Sequence, residues 1–129
     1  MRVNHKLALA LLAGAAVGAL AMQGLHAQAK PIAYVVAEVD VTNEEAFVKE
    51  YAPLGLKALS DGGSGFKRVA VGKIVTIEGT APKSRYMINT FENMDKAIAV
   101  FNSTAYKAAR KIGDKYASSF RIIAIEAAQ

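Results

Sequence analysis

The alternation of apolar positions over residues 30–41 predicts a β-strand. One face is aliphatic from Ala33 to Val41, whereas the other starts with apolar residues and ends with Glu38 and Asp40. Both faces are therefore apolar over the first half of the strand, which is typical of a strand covered on both sides.

Two later stretches have the three- and four-residue spacing of amphipathic helices. The first follows Thr42, which together with Glu45 matches a capping box. Pro53 lies inside this helix and predicts a kink or a division into two short helices. The second begins at a cap at Asn93, breaks, and resumes at a new cap at Ser103.

Three further strands are predicted at residues 66–78, 85–91 and 119–127, the first of them interrupted at Gly72. The order strand, helix, strand, strand, helix, strand is that of the split βαβ arrangement. It predicts an α+β, ferredoxin-like domain over residues 30–129, with a four-stranded antiparallel sheet and two helices on one face.

The first strand also predicts self-association. Two helices cover only one face of a four-stranded sheet. A single copy therefore cannot cover both sides of the first strand, which carry Ile32, Tyr34 and Val36 on one side and Ala33, Val35 and Ala37 on the other. An apolar patch of that size is a liability on a secreted monomer. A symmetric homodimer formed through the sheet face would cover it.

Residues 1–29 have the pattern of a secretory signal peptide. Two basic residues precede an uncharged run over residues 7–25, and Ala27-Gln28-Ala29 fits the small-x-small cleavage pattern. The alternative is a retained membrane anchor, because the run is nearly long enough to span a bilayer. Its richness in alanine and glycine favours cleavage, after Ala29 or after Ala27. We therefore expect a periplasmic or secreted protein without a membrane anchor.

The composition narrows the possible chemistry. The chain has no cysteine, and its two histidines, His5 and His26, lie in the predicted leader. Residues 30–129 carry 14 basic and 11 acidic residues, a net charge of +3 without the clustered basic surface of nucleic-acid-binding proteins. Without histidine or cysteine, the processed chain lacks the commonest general base and the usual transition-metal ligands. We expect neither a metal nor a cofactor.

One charged helix face has two interpretations. Lys107, Arg110, Lys111, Asp114 and Lys115 recur at spacings of three and four, so they share one side of a helix. They form either a solvated face with local ion pairs or a docking strip for an anionic ligand. Such runs are ordinary on amphipathic helices, which favours the solvated face.

Segments spread over residues 38–126 resemble the domain-of-unknown-function 1330 family. The stretch YKAARKIGDKYASSFRIIAIE is similar to the closing segment of that family, with Arg121 and Glu126 as its R-x-x-x-x-E pair. Thr90 and Ala127 depart from the family pattern. Other similar elements are the E-Y-A-P helix with Tyr51 and Pro53, GKIVTIEG at 72–79, the P-x-x-R loop ending at Arg85, Phe91, and NSTAY ending at Tyr106.

The resemblance implies a dimeric α+β barrel, in which two ferredoxin-like sheets pack face to face with the helices outside. Because residues 30–129 contain neither histidine nor cysteine, the side chains left for polar chemistry are carboxylates, lysine, tyrosine and arginine. Our candidates for ligand binding are Glu38, Tyr51, Arg85, Tyr106, Arg121 and Glu126.

The carboxylates among these candidates have two interpretations. Glu38, Asp40 and Glu126 belong to strands that are adjacent in this fold, so they could meet near a cavity where a raised pKa would suit a general base. Alternatively they lie at strand ends, exposed or paired with Arg85 or Arg121. The tyrosines are expected mainly in the core, with a subset lining a pocket for a small hydrophobic or aromatic molecule.

Two functions remain open at this point. The first is a homodimer that binds a small ligand, or is purely structural, without catalysis. The second is a cofactor-independent oxygenase or isomerase that acts on a small hydrophobic or aromatic molecule, an expectation that rests on analogy of fold.

Overall fold

The computed structural model describes residues 30–129, so the predicted signal peptide and its cleavage site lie outside the described residues. Four strands form one antiparallel sheet in the order β2-β3-β1-β4. They are β1 (Ala33–Val41), β2 (Lys67–Val71), β3 (Arg85–Phe91) and β4 (Ala117–Glu126).

Three helices complete the domain and pack against one face of the sheet. They are α1 (residues 44–61), α2 (Met94–Phe101) and α3 (Thr104–Gly113). The ferredoxin-like α+β fold predicted from the order of elements is confirmed. Within residues 30–129, every helix is too short or too polar to cross a membrane.

The caps of the second helical region are those that the sequence predicts. Asn93 accepts a hydrogen bond from the backbone N–H of Lys96 at 3.0 Å, and Ser103 accepts one from Tyr106 at 3.1 Å. The predicted Thr42 cap is wrong, because Asn43 accepts from the N–H of Ala46 instead. The backbone N–H of Thr42 is engaged by the Tyr116 carbonyl at 2.8 Å, which ties this turn to the start of β4.

The helix α1 continues through Pro53 by changing its hydrogen-bonding pattern. A π-helical segment, Phe47–Tyr51, separates a first turn, Glu44–Ala46, from an α-helical segment, Ala52–Asp61. The N–H of Ala52 bonds to the Phe47 carbonyl five residues back, and Pro53 then stands in the first turn of the following segment. Proline is tolerated in a first turn because its missing N–H would have no partner there. Where the sequence predicts a kink or two short helices, the structure has two α-helical segments joined by a π segment. Such a segment is frequent at functional sites.

The second strand is shorter than predicted. It ends at Val71, and the predicted continuation over residues 73–78 is wrong. The register pairs Val71 with Met87, so only two residues of β3 remain beyond that point and nothing lies opposite residues 74–78. Gly72, at φ +136°, turns the chain out of the sheet.

The core lies between the helices and the inner face of the sheet. Along β1, the odd-numbered residues from Ala33 to Val39 are buried, whereas Tyr34 on the other face is exposed, so a single copy covers only one face of the strand. The core has two clusters. Ala33 and Val35 belong to the one around Phe91 and Val100, and Val39 belongs to the one around Phe47.

Gly113 allows the second cluster to close. A β-carbon at this position would lie 2.9 Å from both Phe120 Cζ and Tyr51 Cδ2, closer than real contacts allow. The aromatic rings therefore pack directly against the helix backbone. At Gly55, on the other side of the Tyr51 ring, a β-carbon would lie 3.2 Å from Tyr51 Cζ, a contact that a small shift can relieve.

We predict that Gly113→Ala destabilises the protein. Overpacking costs about 1–3 kcal/mol, which exceeds the ~0.5–1 kcal/mol that alanine gains over glycine in a helix. Denaturant unfolding measures the change. The control is Gly55→Ala, which we expect to lie within about 1 kcal/mol of wild type; equal stability of the two variants would contradict the close packing at Gly113.

Candidate functional site

A cavity lies between the inner face of the sheet and helices α1 and α3. Its volume is about 60 Å³. A single buried water needs roughly 10–15 Å³, so the cavity holds a few waters or a ligand group of a few heavy atoms. Its polar lining residues are Tyr51, Arg68, Arg85, Asn89 and Tyr106, and its aromatic ones also include Phe47, Phe101 and Phe120.

Arg68 and Asn89 form one wall. They lie opposite each other in the β2–β3 register, next to an irregularity in β2. The Arg68 Nε donates to Asn89 Oδ1 at 3.0 Å, and Asn89 is only 2% exposed. Burial, followed by the positive charge of Arg85, lowers the pKa of Arg68. A bound anion would relieve both effects.

Arg85 is held in place from outside the cavity. Its Nε donates to Glu44 Oε1 at 3.0 Å, and its Nη2 donates to the same oxygen. The guanidinium carbon also lies 5.3 Å from the centre of the Phe47 ring, within the range of a cation–π contact. These contacts orient the charge while one side of the group lines the cavity.

Tyr51 and Tyr106 meet inside the cavity. Their hydroxyl oxygens lie 3.5 Å apart, and either can be the donor. Burial is the main cause that raises the pKa of both phenols above the ordinary value of 10.0. Both are therefore neutral at physiological pH and present O–H groups.

Aromatic packing orients Tyr51. Its ring centre lies 4.7 Å from that of Phe47 and 5.5 Å from that of Phe120, the latter nearly perpendicular at 81°. Tyr106 makes a similar edge-on contact with Phe101 at 4.8 Å. Because χ rotations would break these contacts, the two hydroxyls keep their position relative to the guanidinium groups.

The cavity is suited to negative charge. None of its lining residues, all within the described part of the chain, is acidic, whereas two are guanidinium groups and two are neutral phenols. Arginine stays protonated and only donates. A phenol with a raised pKa is reluctant to ionise and also acts mainly as a donor. The site can bind and stabilise an anionic group, and it presents no group suited to removing a proton.

The structure separates the six residues that the sequence nominates. Tyr51, Arg85 and Tyr106 line the cavity. Arg68 and Asn89 were missed. Asn89 stands at an inward position of β3 between Met87 and Phe91, so a polar residue within an apolar row is the signal that could have found it. No comparable pattern in the sequence marks Arg68, because the irregularity in β2 interrupts the alternation of inward and outward residues along that strand.

Glu38 and Arg121 lie on the outer face of the sheet instead. They are direct partners in the β1–β4 register, and Tyr86 is opposite Glu38 on its other side. The segment of residues 74–83 borders a depression of about 760 Å³ beside them, where the N–H of Lys83 donates to Glu38 Oε2 at 3.4 Å.

Of the two interpretations of the carboxylates, the meeting near a cavity is wrong, and the alternative, which the sequence favours, agrees with the pairing of Glu38 with Arg121 in the register. Glu126 pairs in register with Ala33, five residues from Glu38 along β1, roughly 16 Å at about 3.3 Å per residue. Because odd and even positions of a strand face opposite sides, the two carboxylates also start from opposite faces of the sheet. Asp40 is engaged elsewhere, by Ser118 Oγ at 2.9 Å and by Lys83 Nζ at 3.6 Å.

The charged face of α3 agrees with the solvated interpretation. Arg110 is hydrogen-bonded to Asp114 one turn away, and its guanidinium carbon lies 3.5 Å from the centre of the Phe120 ring. Tyr106 and Ala109, on the other side of the helix, are buried as predicted.

The fold and the cavity define a small ferredoxin-like α+β domain with a partly open site, of mixed polar and apolar lining, between its sheet and its helices. The chain belongs to the family described as domain of unknown function (DUF1330), whose family model matches residues 32–128. No curated protein of known function matches the chain in sequence.

Solved structures with the same fold include proteins with and without an assigned function. A protein of unknown function from Rhodopseudomonas palustris is 13% identical, with a TM-score of 0.62 over 84% of this chain and 92% of its own. SnoaB, a cofactor-independent oxygenase from Streptomyces nogalater, is also 13% identical, with a TM-score of 0.57 over 78% of this chain and 96% of its own. At this level of identity the likeness establishes the fold alone.

We predict that the buried tyrosines destabilise the protein at high pH. The unfolded state releases a phenolic proton near pH 10, whereas the raised pKa of Tyr106 keeps the folded state protonated. Stability is therefore fully present below pH 10 and falls above it, by up to ~1.4 kcal/mol per pH unit for one group.

Tyr106→Phe should flatten this fall. The measurement is the free energy of unfolding in denaturant between pH 8 and 11. Tyr34→Phe, which removes a phenol from the outer face of the sheet, is the matched control. An unchanged slope in Tyr106→Phe would show that this phenol ionises as readily in the folded chain as in the unfolded one.

Proposed function

We propose that the protein binds a small anionic molecule in the cavity between the sheet and the helices. The observation that carries this proposal is the acid-free cavity, in which Arg68 and Arg85 supply positive charge and the Tyr51–Tyr106 pair supplies hydroxyl donors. Charged hydrogen bonds of this kind are about twice as strong as neutral ones.

The size of the cavity limits the bound group. At about 60 Å³, it has room for a carboxylate or another planar anion of similar size, and not for a whole aromatic ring system. Guanidinium groups match planar carboxylates in shape and donor spacing. A carboxylate is therefore the class of group that we assign to the cavity.

A second candidate is a cofactor-independent oxygenase. The same cavity would stabilise an anionic organic substrate, and SnoaB, which shares the fold, is described as such an enzyme. Oxygenation or isomerisation also requires a group that takes a proton from the substrate, and the described lining residues offer none suited to that step. Binding without catalysis is the better supported function.

The binding proposal predicts that Arg68→Gln weakens carboxylate binding. Acetate is the probe, with acetamide as its neutral isostere, and calorimetric titration or a ligand-induced thermal shift is the measurement. Loss of one charged hydrogen bond at a partly exposed arginine should cost roughly tenfold in affinity. Acetamide binding should be weaker than acetate binding and unaffected by the substitution.

Arg121→Gln is the matched control, since it removes the same charge from the outer face of the sheet. We expect it to leave acetate binding unchanged. Acetate and acetamide binding equally, or Arg121→Gln weakening acetate as much as Arg68→Gln does, would refute the assignment to the inner cavity.

We further propose that the chain is exported, processed near Ala29 and assembled as a homodimer through the outer face of the sheet. The leader pattern of residues 1–29 supports export. Support for the dimer comes from apolar side chains that one copy leaves uncovered. On the outer face these include Tyr34, Ile123 and Ile125, and in the neighbouring segment Val75 and Ile77, the last of them 98% exposed.

The dimer proposal predicts that Ile125→Lys produces monomers. Ile125 is 58% exposed on the outer face, so the substitution does not disturb the core of one copy. A lysine there would have to be desolvated on association. Light scattering of residues 30–129 at micromolar concentration should give a dimer for wild type and a monomer for the variant.

Val48→Lys is the control, because Val48 is similarly exposed but lies on α1, away from the outer face. It should remain dimeric. A monodisperse, folded wild-type monomer at micromolar concentration would exclude the proposed interface.

A further inference from the structure

A second concavity adjoins the cavity, between α2 and the edge strand β4. This groove has a volume of about 340 Å³ and a mainly apolar lining. That volume falls at the lower end of small-molecule pockets, whereas the inner cavity alone falls well below it. The groove therefore has room for a part of a ligand that the cavity cannot take.

The two spaces share walls. Phe101, Tyr106 and Ile122 line both of them. Inward-facing residues of β1 and β4 also line both the cavity and the groove. On β1 the lining passes from Ala37 in the cavity to Val35 in the groove, two residues or about 6.6 Å along the strand.

Polar and apolar character are divided between the two spaces. Among the described lining residues of the two spaces, the cationic ones are Arg68 and Arg85, and both belong to the cavity. The groove is lined by Ala97, Ile98 and Ala124 together with the shared side chains, and its polar lining residues among those described are Asn102 and Tyr106. The cavity and the groove together therefore offer a cationic region beside an apolar region.

We infer that the ligand is an amphipathic carboxylate, with its charged head in the cavity and an aliphatic tail in the groove between α2 and β4. This inference rests on the proposed binding of a small anion and adds the class of molecule that carries it. Tyr106 stands where head and tail join, with its hydroxyl toward Tyr51 and its ring against Phe101.

A series of straight-chain carboxylates tests the inference on purified protein. Affinities for acetate, butyrate, hexanoate and octanoate are measured by calorimetric titration, with hexanamide as the neutral counterpart of hexanoate. Each buried methylene strengthens binding, so hexanoate should bind on the order of tenfold or more tightly than acetate. Hexanoate should also bind more tightly than hexanamide.

Two matched variants locate the tail. Ile98→Trp fills the groove from a residue that is 52% exposed, and it should abolish the dependence on chain length while leaving acetate binding unchanged. Leu54→Trp makes a similar change in the separate apolar depression between α1 and α3 and should keep that dependence. Circular dichroism verifies folding, and Ile98→Phe replaces the tryptophan variant if that variant does not fold.

The outcomes separate this inference from the proposed function. Equal affinity for all chain lengths would overturn the inference while acetate binding that depends on Arg68 stands. Hexanamide binding as tightly as hexanoate would overturn it too, because the charged head would then contribute nothing. A chain-length effect that survives Ile98→Trp would place the tail elsewhere. If no carboxylate binds, both the inference and the proposed function fail.

Discussion

The helices cover one face of the sheet, and this single constraint governs the rest of the molecule. Every side chain on the inner face must pack or find a partner within a narrow space, because buried polar groups without hydrogen bonds are costly. Asn89 meets this requirement through Arg68, and Tyr51 and Tyr106 meet it through each other. The outer face carries no such cover within the described chain, and there apolar side chains remain exposed.

The inner polar groups are placed by local irregularities in otherwise regular elements. The π segment of α1 carries the helix through Pro53 and ends at Tyr51. Gly113 lets that tyrosine approach the backbone of α3. The irregularity in β2 follows Arg68, an edge-strand residue that lines the cavity. All three features act on residues that line the same cavity, namely Tyr51 and Arg68.

The charges of the lining residues determine which kind of ligand the cavity can bind. Two guanidinium groups without an acidic partner inside the cavity favour an anion, and neutral phenols supply further donors. Glu44 holds Arg85 from outside and leaves the interior acid-free. The described lining residues are donors rather than proton acceptors, which is the basis of the binding that we propose. The adjoining apolar groove extends the space without changing its charge.

The sequence by itself determined the order of strands and helices, the division of β1 into two faces and the caps at Asn93 and Ser103, because hydrophobic period and capping chemistry are local properties. The resemblance to the family motifs also identified Tyr51, Arg85 and Tyr106 as candidate ligand-binding residues. Only the tertiary structure decided which face of the sheet the helices cover, and hence that Glu38 and Arg121 lie away from the cavity, that Glu126 is distant from Glu38, and that residues 73–78 leave the sheet. These outcomes depend on register between strands, and register is set by pairing across the sheet, which no single segment encodes.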